Sequence, residues 1–352
     1  MQLKKDAVVL GIETSCDETA VGIVKGGRKI LADEIISSAA EHVRFGGVVP
    51  EIASRAHTEA VLEATKRALG AAGMSFGDID AIAVTYGAGL LGALLVGVSF
   101  AKGLAYALDK PLVAVNHIRG HIAAAYLADE ALEPPFVTLL ASGGHTAVIR
   151  VKDYLGHEVL GSTLDDAAGE AFDKTARVLG LEYPGGPNVE KLARQGKNVI
   201  KFPAMLKGSH TYDFSYSGLK TSVVNYVHSK RQKGEAFSAA DVAASFQSAA
   251  LDVLAEKLFA AARAVGAKTV TAGGGVSANG YLRELLSRRA EQEDVKLVLP
   301  ERRYCTDNAC MIAAEGYIQY INGNFAGLDL NAKASIPLRN ALNGGKNNDQ
   351  HI

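Results

Sequence analysis

The sequence predicts an α/β protein made of two similar halves, and three observations carry that prediction. Apolar β-rich runs alternate with helix-length runs along most of the chain, the pattern of strands joined by crossover helices. Residues 7–24, AVVLGIETSCDETAVGIV, and 136–151, FVTLLASGGHTAVIRV, share one design of apolar run, small polar turn and second apolar run. These two segments lie about 130 residues apart, the size of one half of a chain too long for a single ordinary core. An internal duplication follows as the expectation.

The elements follow in order. Residues 7–24 read as a β-hairpin with its polar turn at the tip. A strand is expected at about 29–37, a helix through ASRAHTEAVLEATKRAL (53–69), a strand at AIAVTY (81–86), an apolar Gly-rich helix at about 92–108 and a strand at LVAVN (112–116). The second half opens with the hairpin 136–151, continues with a helix at 165–180 and a less regular stretch around 184–220, and adds a long helix near 238–265. The strand TVTAG (269–273) leads into GGVSANGYLRELL (274–286). The alternation implies a largely parallel sheet in each half. From about 336 to 352 the chain is rich in Asn, Gly and Lys with little apolar content, which predicts a frayed tail.

Hydrophobic residues at 48% and charged residues at 21% describe an ordinary globular composition. The formal net charge of −1 excludes a self-sufficient basic nucleic-acid binder, so an RNA substrate would need help from partner subunits. The basic clusters KRQK (230–233), RR (288–289) and RRY (302–304) read as solvated faces. The three cysteines, Cys16, Cys305 and Cys310, have no CxxC spacing, and MQLKKD lacks a signal-peptide apolar region, so a cytoplasmic, reducing setting is expected. The apolar run 87–101 ends at Lys102, short of the roughly 20 residues of a membrane span, and is expected to be a buried helix.

Five motifs carry chemistry. In NHIRGHIAAAY (116–126), His117 and His121 sit four positions apart, close enough on a helix to share one metal ion. The HExxH protease motif has the same spacing, but Ile118 stands where its glutamate would be, which weakens a metalloprotease reading; a cap and a solvated face is the competing explanation. The turns ASGGHT (141–146) and ETSCDET (13–19) offer hydroxyls, unhindered backbone N–H groups and carboxylates of the kind that grip phosphate, or they are ordinary tight turns. TAGGGVSANGYLR (271–283) follows a strand and opens a helix without the GxGxxG spacing, and Asn279 is its best polar candidate for a nucleoside contact. In RYCTDNA (303–309), Asp307 either caps a helix or completes a His₂–Asp face suited to Fe(II), Zn or Mn. Asp165, Asp166, Asp173 and Lys174 are further polar residues on a short helical stretch.

These motifs in this order, GIETSCDETA, NHIRGH, SGGHT, LDDAAGEAFDKTARVLGLEYPGGP, FSYSGLKT, GGGVSAN and YCTDNA, resemble those of the tRNA N6-adenosine threonylcarbamoyltransferase family, formerly called O-sialoglycoprotein endopeptidase or glycoprotease. The likeness runs from about Val8 to about Gly323 and is closest to the bacterial form. It implies an actin-like ATPase (ASKHA) fold, two duplicated α/β halves around a nucleotide cleft. The first half is expected at 1–133, with a helix at about 307–325 returning to it, and the second at 134–306. The resemblance also implies transfer of the threonylcarbamoyl group from threonylcarbamoyl-adenylate to N6 of adenosine 37 in tRNAs reading codons that begin with A, releasing AMP. Carried over by position, His117, His121 and Asp307 look like ligands of one divalent metal, usually iron, with Zn or Mn as alternatives. Leu140, Ala141, Ser142, Gly143, Gly144, Asp173, Gly186, Glu190 and Asn279 look like the substrate and adenine-nucleotide site. Leu140 stands where archaeal members place a metal-binding tyrosine. Asp17 and Glu18 are the candidates for a base or orienting group acting on the attacking amine. The implied partners are tRNA, a paralogous ASKHA subunit and a small P-loop ATPase, with no membrane. A non-catalytic ASKHA scaffold and an ATP-dependent small-molecule kinase are the rival readings; neither needs the His–His–Asp set.

Overall fold

The computed structural model describes residues 3–203, 206 and 211–342. The chain divides into two compact units, one comprising 1–134, 152–158 and 306–352, the other 135–151 and 159–305. The expected tail from 336 contains a short helix at Leu338–Leu342 with Ala341 and Leu342 buried, so an apolar pair anchors what composition alone marked as frayed. Its remaining residues, 343–352, lie outside the described residues.

The first unit opens with β1 (Val8–Glu13), β2 (Glu18–Lys25) and β3 (Lys29–Ser37), followed by the short helix α1 (Ala39–His42) and the long α2 (Pro50–Ala72). Then come β4 (Ala81–Gly87), α3 (Leu91–Leu108), β5 (Leu112–Asn116) and α4 (His117–Ala128). Pro50 suits the first turn of α2 because the N–H it lacks has no intrahelical partner there, and Gly73 ends that helix at φ 63°. The sheet has the order β3-β2-β1-β4-β5. It is mixed rather than largely parallel: β1–β2 and β2–β3 are antiparallel, whereas β1–β4 and β4–β5 are parallel. The reason is connection length, since a hairpin turn can only return a strand antiparallel and only the helical crossovers through α2 and α3 deliver parallel neighbours.

The second unit contains β6 (Phe136–Ala141), β7 (Thr146–Val151), β8 (His157–Ser162), α5 (Ala168–Leu179), α6 (Gly185–Ala193), α7 (Ser217–Gln232), α8 (Ala239–Val265), β9 (Thr269–Gly273), α9 (Gly280–Glu293) and β10 (Lys296–Val298). Its sheet, ordered β10-β9-β6-β7-β8, repeats the antiparallel hairpin and the parallel neighbour beside it. The stretch around 184–220 is more regular than expected because it holds α6 and the start of α7. α5 begins only at Ala168, leaving Asp165 and Asp166 in the preceding loop. Phe136, Tyr216, Phe246 and Phe259 are fully buried, each worth roughly 1.5–3 kcal/mol of removed apolar surface.

The chain then supplies α10 (Ala309–Ile321) and α11 (Leu338–Leu342) to the first unit. α10 lies against β1 so closely that a Cβ on Gly11 would stand 2.4 Å from the Ala309 carbonyl oxygen, a contact only glycine permits. α3 differs from the buried helix expected. Ala93, Leu94, Gly97, Val98 and Ala101 pack inward, while Leu91, Leu95 and Tyr106 stay exposed at 49%, 40% and 77%. By length and composition α3 is apolar enough to cross a membrane, but its small-residue face is packed into the core of this unit.

Candidate metal centre and phosphate-type turns

The metal-type residues converge in the first unit. Asn116 ends β5 and caps α4, its side-chain oxygen accepting the Ile118 N–H at 2.9 Å, so the histidine that follows is released from capping. One turn separates His117 from His121, and their rings meet edge to face with centroids 4.6 Å apart. α10 opens the same way. Asn308 is its cap, accepting from Met311 N–H at 2.9 Å, and Asp307 just before it is free to project. The Nε2 atoms of His117 and His121 each lie 3.4 Å from Asp307 Oδ1, and one ligand atom from each of the three residues falls within 4.8 Å of the others.

Glu13, at the end of β1, completes the surroundings. Its Oε2 lies 3.0 Å from His117 Nδ1 and accepts from Thr85 Oγ1 at 2.6 Å, and Ser15 Oγ is 3.2 Å from the same Nδ1. Burial pushes Glu13 upward, but the neighbouring His117 outweighs it and leaves the carboxyl below its ordinary range. Burial likewise opposes ionisation of Asp307, and the two imidazoles reverse it strongly. His117 is lowered by burial yet held well above the ordinary imidazole range by Asp307 and Glu13. His121 is depressed, by burial first and then by His117.

A divalent metal fits these residues. Spacings of 3.4 Å exceed a normal N–H···O bond but match the separation of ligand atoms around one ion at about 2.1 Å. Two imidazole nitrogens and a carboxylate oxygen form a donor set for Fe(II), Zn(II) or Mn(II). The surrounding charge agrees. Burial, then Asp17 and Asp307, push Glu18 up to about 9, and burial with the same carboxylates raises the Cys16 thiol, so this corner carries negative charge that a cation would neutralise. Asp17 is buried, and its backbone carbonyl accepts from Ser38 N–H and Oγ–H.

In the second unit the turn Ser142–Gly144 joins β6 to β7. Ser142 N–H donates to the His145 carbonyl at 2.8 Å, and Ser142 Oγ accepts from His145 N–H at 3.1 Å. Nothing stands within 4 Å of where side chains on Gly143 and Gly144 would project, so the turn has an open face. Behind it, Gly169 in α5 donates to the Ser142 carbonyl at 3.1 Å, and a Cβ there would meet Gly143 Cα at 2.8 Å. Gly274, at φ 87°, packs equally tightly on the Ala141 carbonyl.

The remaining expected site residues gather around this turn in different capacities. Leu140 and Ala141 are core side chains of β6, at 1% and 0% exposure, so only their backbones can face a ligand. Asp173 accepts from Gly185 N–H at 2.9 Å and also from the Gly186 N–H, and burial raises its carboxyl; it secures the start of α6. Glu190 reaches across to accept from Gly280 N–H at 3.1 Å and pairs with Arg194. Asn279 is the cap of α9: its oxygen accepts from Leu282 N–H at 3.2 Å and its amide donates to Gln247 Oε1 at 3.0 Å. Asp165 accepts from the hydroxyls of Ser215 and Ser217 and so ties its loop to the start of α7, while Asp166 pairs with Lys174 and Lys220. Thr85 was missed, and Glu13 was read only as part of the polar turn 13–19. A glutamate ending the run VVLGIE signals a buried charge needing a partner, but that partner lies 104 residues on.

Duplicated units with these turns define an ASKHA-type fold, and solved structures agree. Component A of (R)-2-hydroxyglutaryl-CoA dehydratase from Acidaminococcus fermentans matches with TM-score 0.53 at 18% identity, over 90% of this chain and 99% of that one. HypF from T. kodakarensis matches with TM-score 0.62 at 17% identity, over 94% of this chain and 50% of that one. The chain belongs to the tRNA N6-adenosine threonylcarbamoyltransferase (TsaD) family, whose sequence profile matches residues 29–314. Relatives of that name from Moorella thermoacetica and Clostridium perfringens are 52% and 50% identical, over 96% and 94% of this chain and 99% and 98% of theirs.

Proposed function

We propose that this chain moves the threonylcarbamoyl group of threonylcarbamoyl-adenylate to N6 of adenosine 37 in tRNAs reading codons that begin with A, forming t6A and releasing AMP in the cytoplasm. The observation that carries the reading is the convergence of His117, His121 and Asp307 in a member of this family, since a scaffold or a small-molecule kinase has no use for that set. In the reaction the N6–carbamoyl bond forms and the carbon–oxygen bond of the mixed anhydride breaks. AMP leaves with the bonding pair, and one N6 proton passes to a base.

His117, His121 and Asp307 would hold one divalent metal, iron in the first instance, which when bound supplies Lewis-acid polarisation of phosphate or carbamoyl oxygens. Gly143 and Gly144 would present backbone N–H groups to the adenylate phosphate, whose charge rises as AMP departs. Ser142 keeps that turn closed, and Asp173, Gly186, Glu190 and Asn279 hold the surrounding helix starts at fixed positions for the adenine nucleotide. Asp17 and Glu18 are the candidates to accept the N6 proton. The formal charge of −1 and the exposed Leu62, Leu91, Leu95 and Tyr106 on α2 and α3 support partners for tRNA work, a paralogous ASKHA subunit and a small P-loop ATPase.

The test is incubation with unmodified tRNA, labelled threonine, bicarbonate, ATP and candidate partners. Label is expected on adenosine 37, and His117→Ala should abolish transfer and metal binding together. Full transfer by that variant without bound metal would overturn the mechanism.

A further inference from the structure

We infer that Glu13 is a positioning residue of the metal centre, fixing which nitrogen of His117 faces the ion. The inference rests on reading His117, His121 and Asp307 as ligands. Glu13 is fully buried, and a carboxylate taken out of water is tolerated only when its oxygens are paired. Both are. Oε1 accepts from Ser15 N–H at 2.5 Å, and Oε2 accepts from Thr85 Oγ1 at 2.6 Å while facing His117 Nδ1 at 3.0 Å. Thr85 belongs to β4 and Ser15 to the turn after β1, so the sheet fixes the carboxylate independently of the histidine.

A neutral imidazole carries its proton on one nitrogen only, and Nε2 offers a lone pair only when the proton sits on Nδ1. A fixed acceptor at Nδ1 selects that state and holds the ring plane, the arrangement in which a carboxylate orients a metal-bound histidine. The two histidines differ here. His121 Nδ1 is buried with no hydrogen-bond partner, so its ring is held by packing, and His117 alone is aimed by a second group. A glutamine at position 13 cannot substitute: with its NH2 toward Ser15 it meets a backbone N–H, and with its NH2 toward His117 it requires Nδ1 to accept, which moves the ring proton to Nε2.

The experiment compares the full chain with Glu13→Gln and Thr85→Val, the second keeping the carboxylate while removing one anchor. Zn(II) affinity is measured by competition with a chromogenic chelator, and the His117 tautomer by 15N NMR of histidine-labelled, Zn(II)-loaded protein, in which the ring is neutral. Glu13→Gln is expected to lose about 10–100-fold in Zn(II) affinity, and the single Nδ1–H form of His117 should give way to a mixture. Thr85→Val should show a smaller loss in the same direction. Should Glu13→Gln not fold, Thr85→Val decides the matter alone. If the wild-type chain binds no Zn(II), the reading of the ligand set fails. If it binds, and the folded variants bind equally well with His117 unchanged, that reading stands and the role of Glu13 is overturned.

Discussion

At the scale of single residues, the division of labour between caps and metal-type side chains organises the first unit. Asn116 and Asn308 satisfy the free N–H groups of α4 and α10, which leaves His117 and Asp307, each adjacent to a cap, to point at one another. Asn279 makes the same use of its oxygen at the start of α9 and in addition commits its amide to Gln247. Gly274 is a second case in which backbone geometry decides. A Cβ there would meet the Ala141 carbonyl oxygen at 2.4 Å, and φ 87° suits glycine alone. Gly274→Ala is therefore expected to cost about 1–3 kcal/mol, measured by urea denaturation, and to weaken AMP binding by calorimetry because the strain falls on the strand end leading into Ser142. The convergence of His117, His121 and Asp307 was legible in the sequence through HxxxH spacing and the family motifs. The pairing of Glu13 with Thr85 was not, because a buried pair formed between two strands of one sheet leaves no periodic trace in either.

At the scale of elements, both hairpins and the crossover helices could be read from apolar periodicity and turn residues, whereas the exposed face of α3 could not. A helix that is apolar on every side reads as buried, and only its outward Leu91, Leu95 and Tyr106 reveal an unpacked stripe. The buried Arg119–Glu315 pair between α4 and α10 was likewise invisible. Arg119, on α4 between the two histidines, bonds Glu315 of α10 through Nε at 2.5 Å. Its other nitrogens donate to the carbonyls of Tyr154, Leu155 and Leu342. This buried pair holds together the helices that carry the metal-type residues. Arg119→Met leaves Glu315 without its counter-charge and is expected to cost about 3–5 kcal/mol. The double variant Arg119→Met, Glu315→Met should recover part of that loss, and a double-mutant cycle in urea measures the difference.

At the scale of the whole molecule, stability carries a pH signature away from His117, His121 and Asp307. Burial, then the neighbouring Arg119, depress His157 to about 3, and its Nδ1 lies 3.1 Å from an Arg119 nitrogen. In the unfolded chain His157 binds a proton near pH 6.5, so acidification favours unfolding progressively from about 6.5 down to about 3, and the contribution is complete above that window. Urea midpoints measured across this range should fall with pH, and His157→Asn should flatten that slope. The close fit of α10 on β1 has a consequence for synthesis. Gly11 and Gly22 in the first hairpin press directly on Ala309 and Cys310, so that face of the sheet is covered only once α10 has been made. His121 and Asp307 are separated by the whole second unit, and at about 5–20 residues per second the ribosome needs on the order of 10–40 s to pass from one to the other. Truncated products therefore carry both histidines without Asp307, and on the proposed ligand set loading with metal would mark a chain translated past that residue.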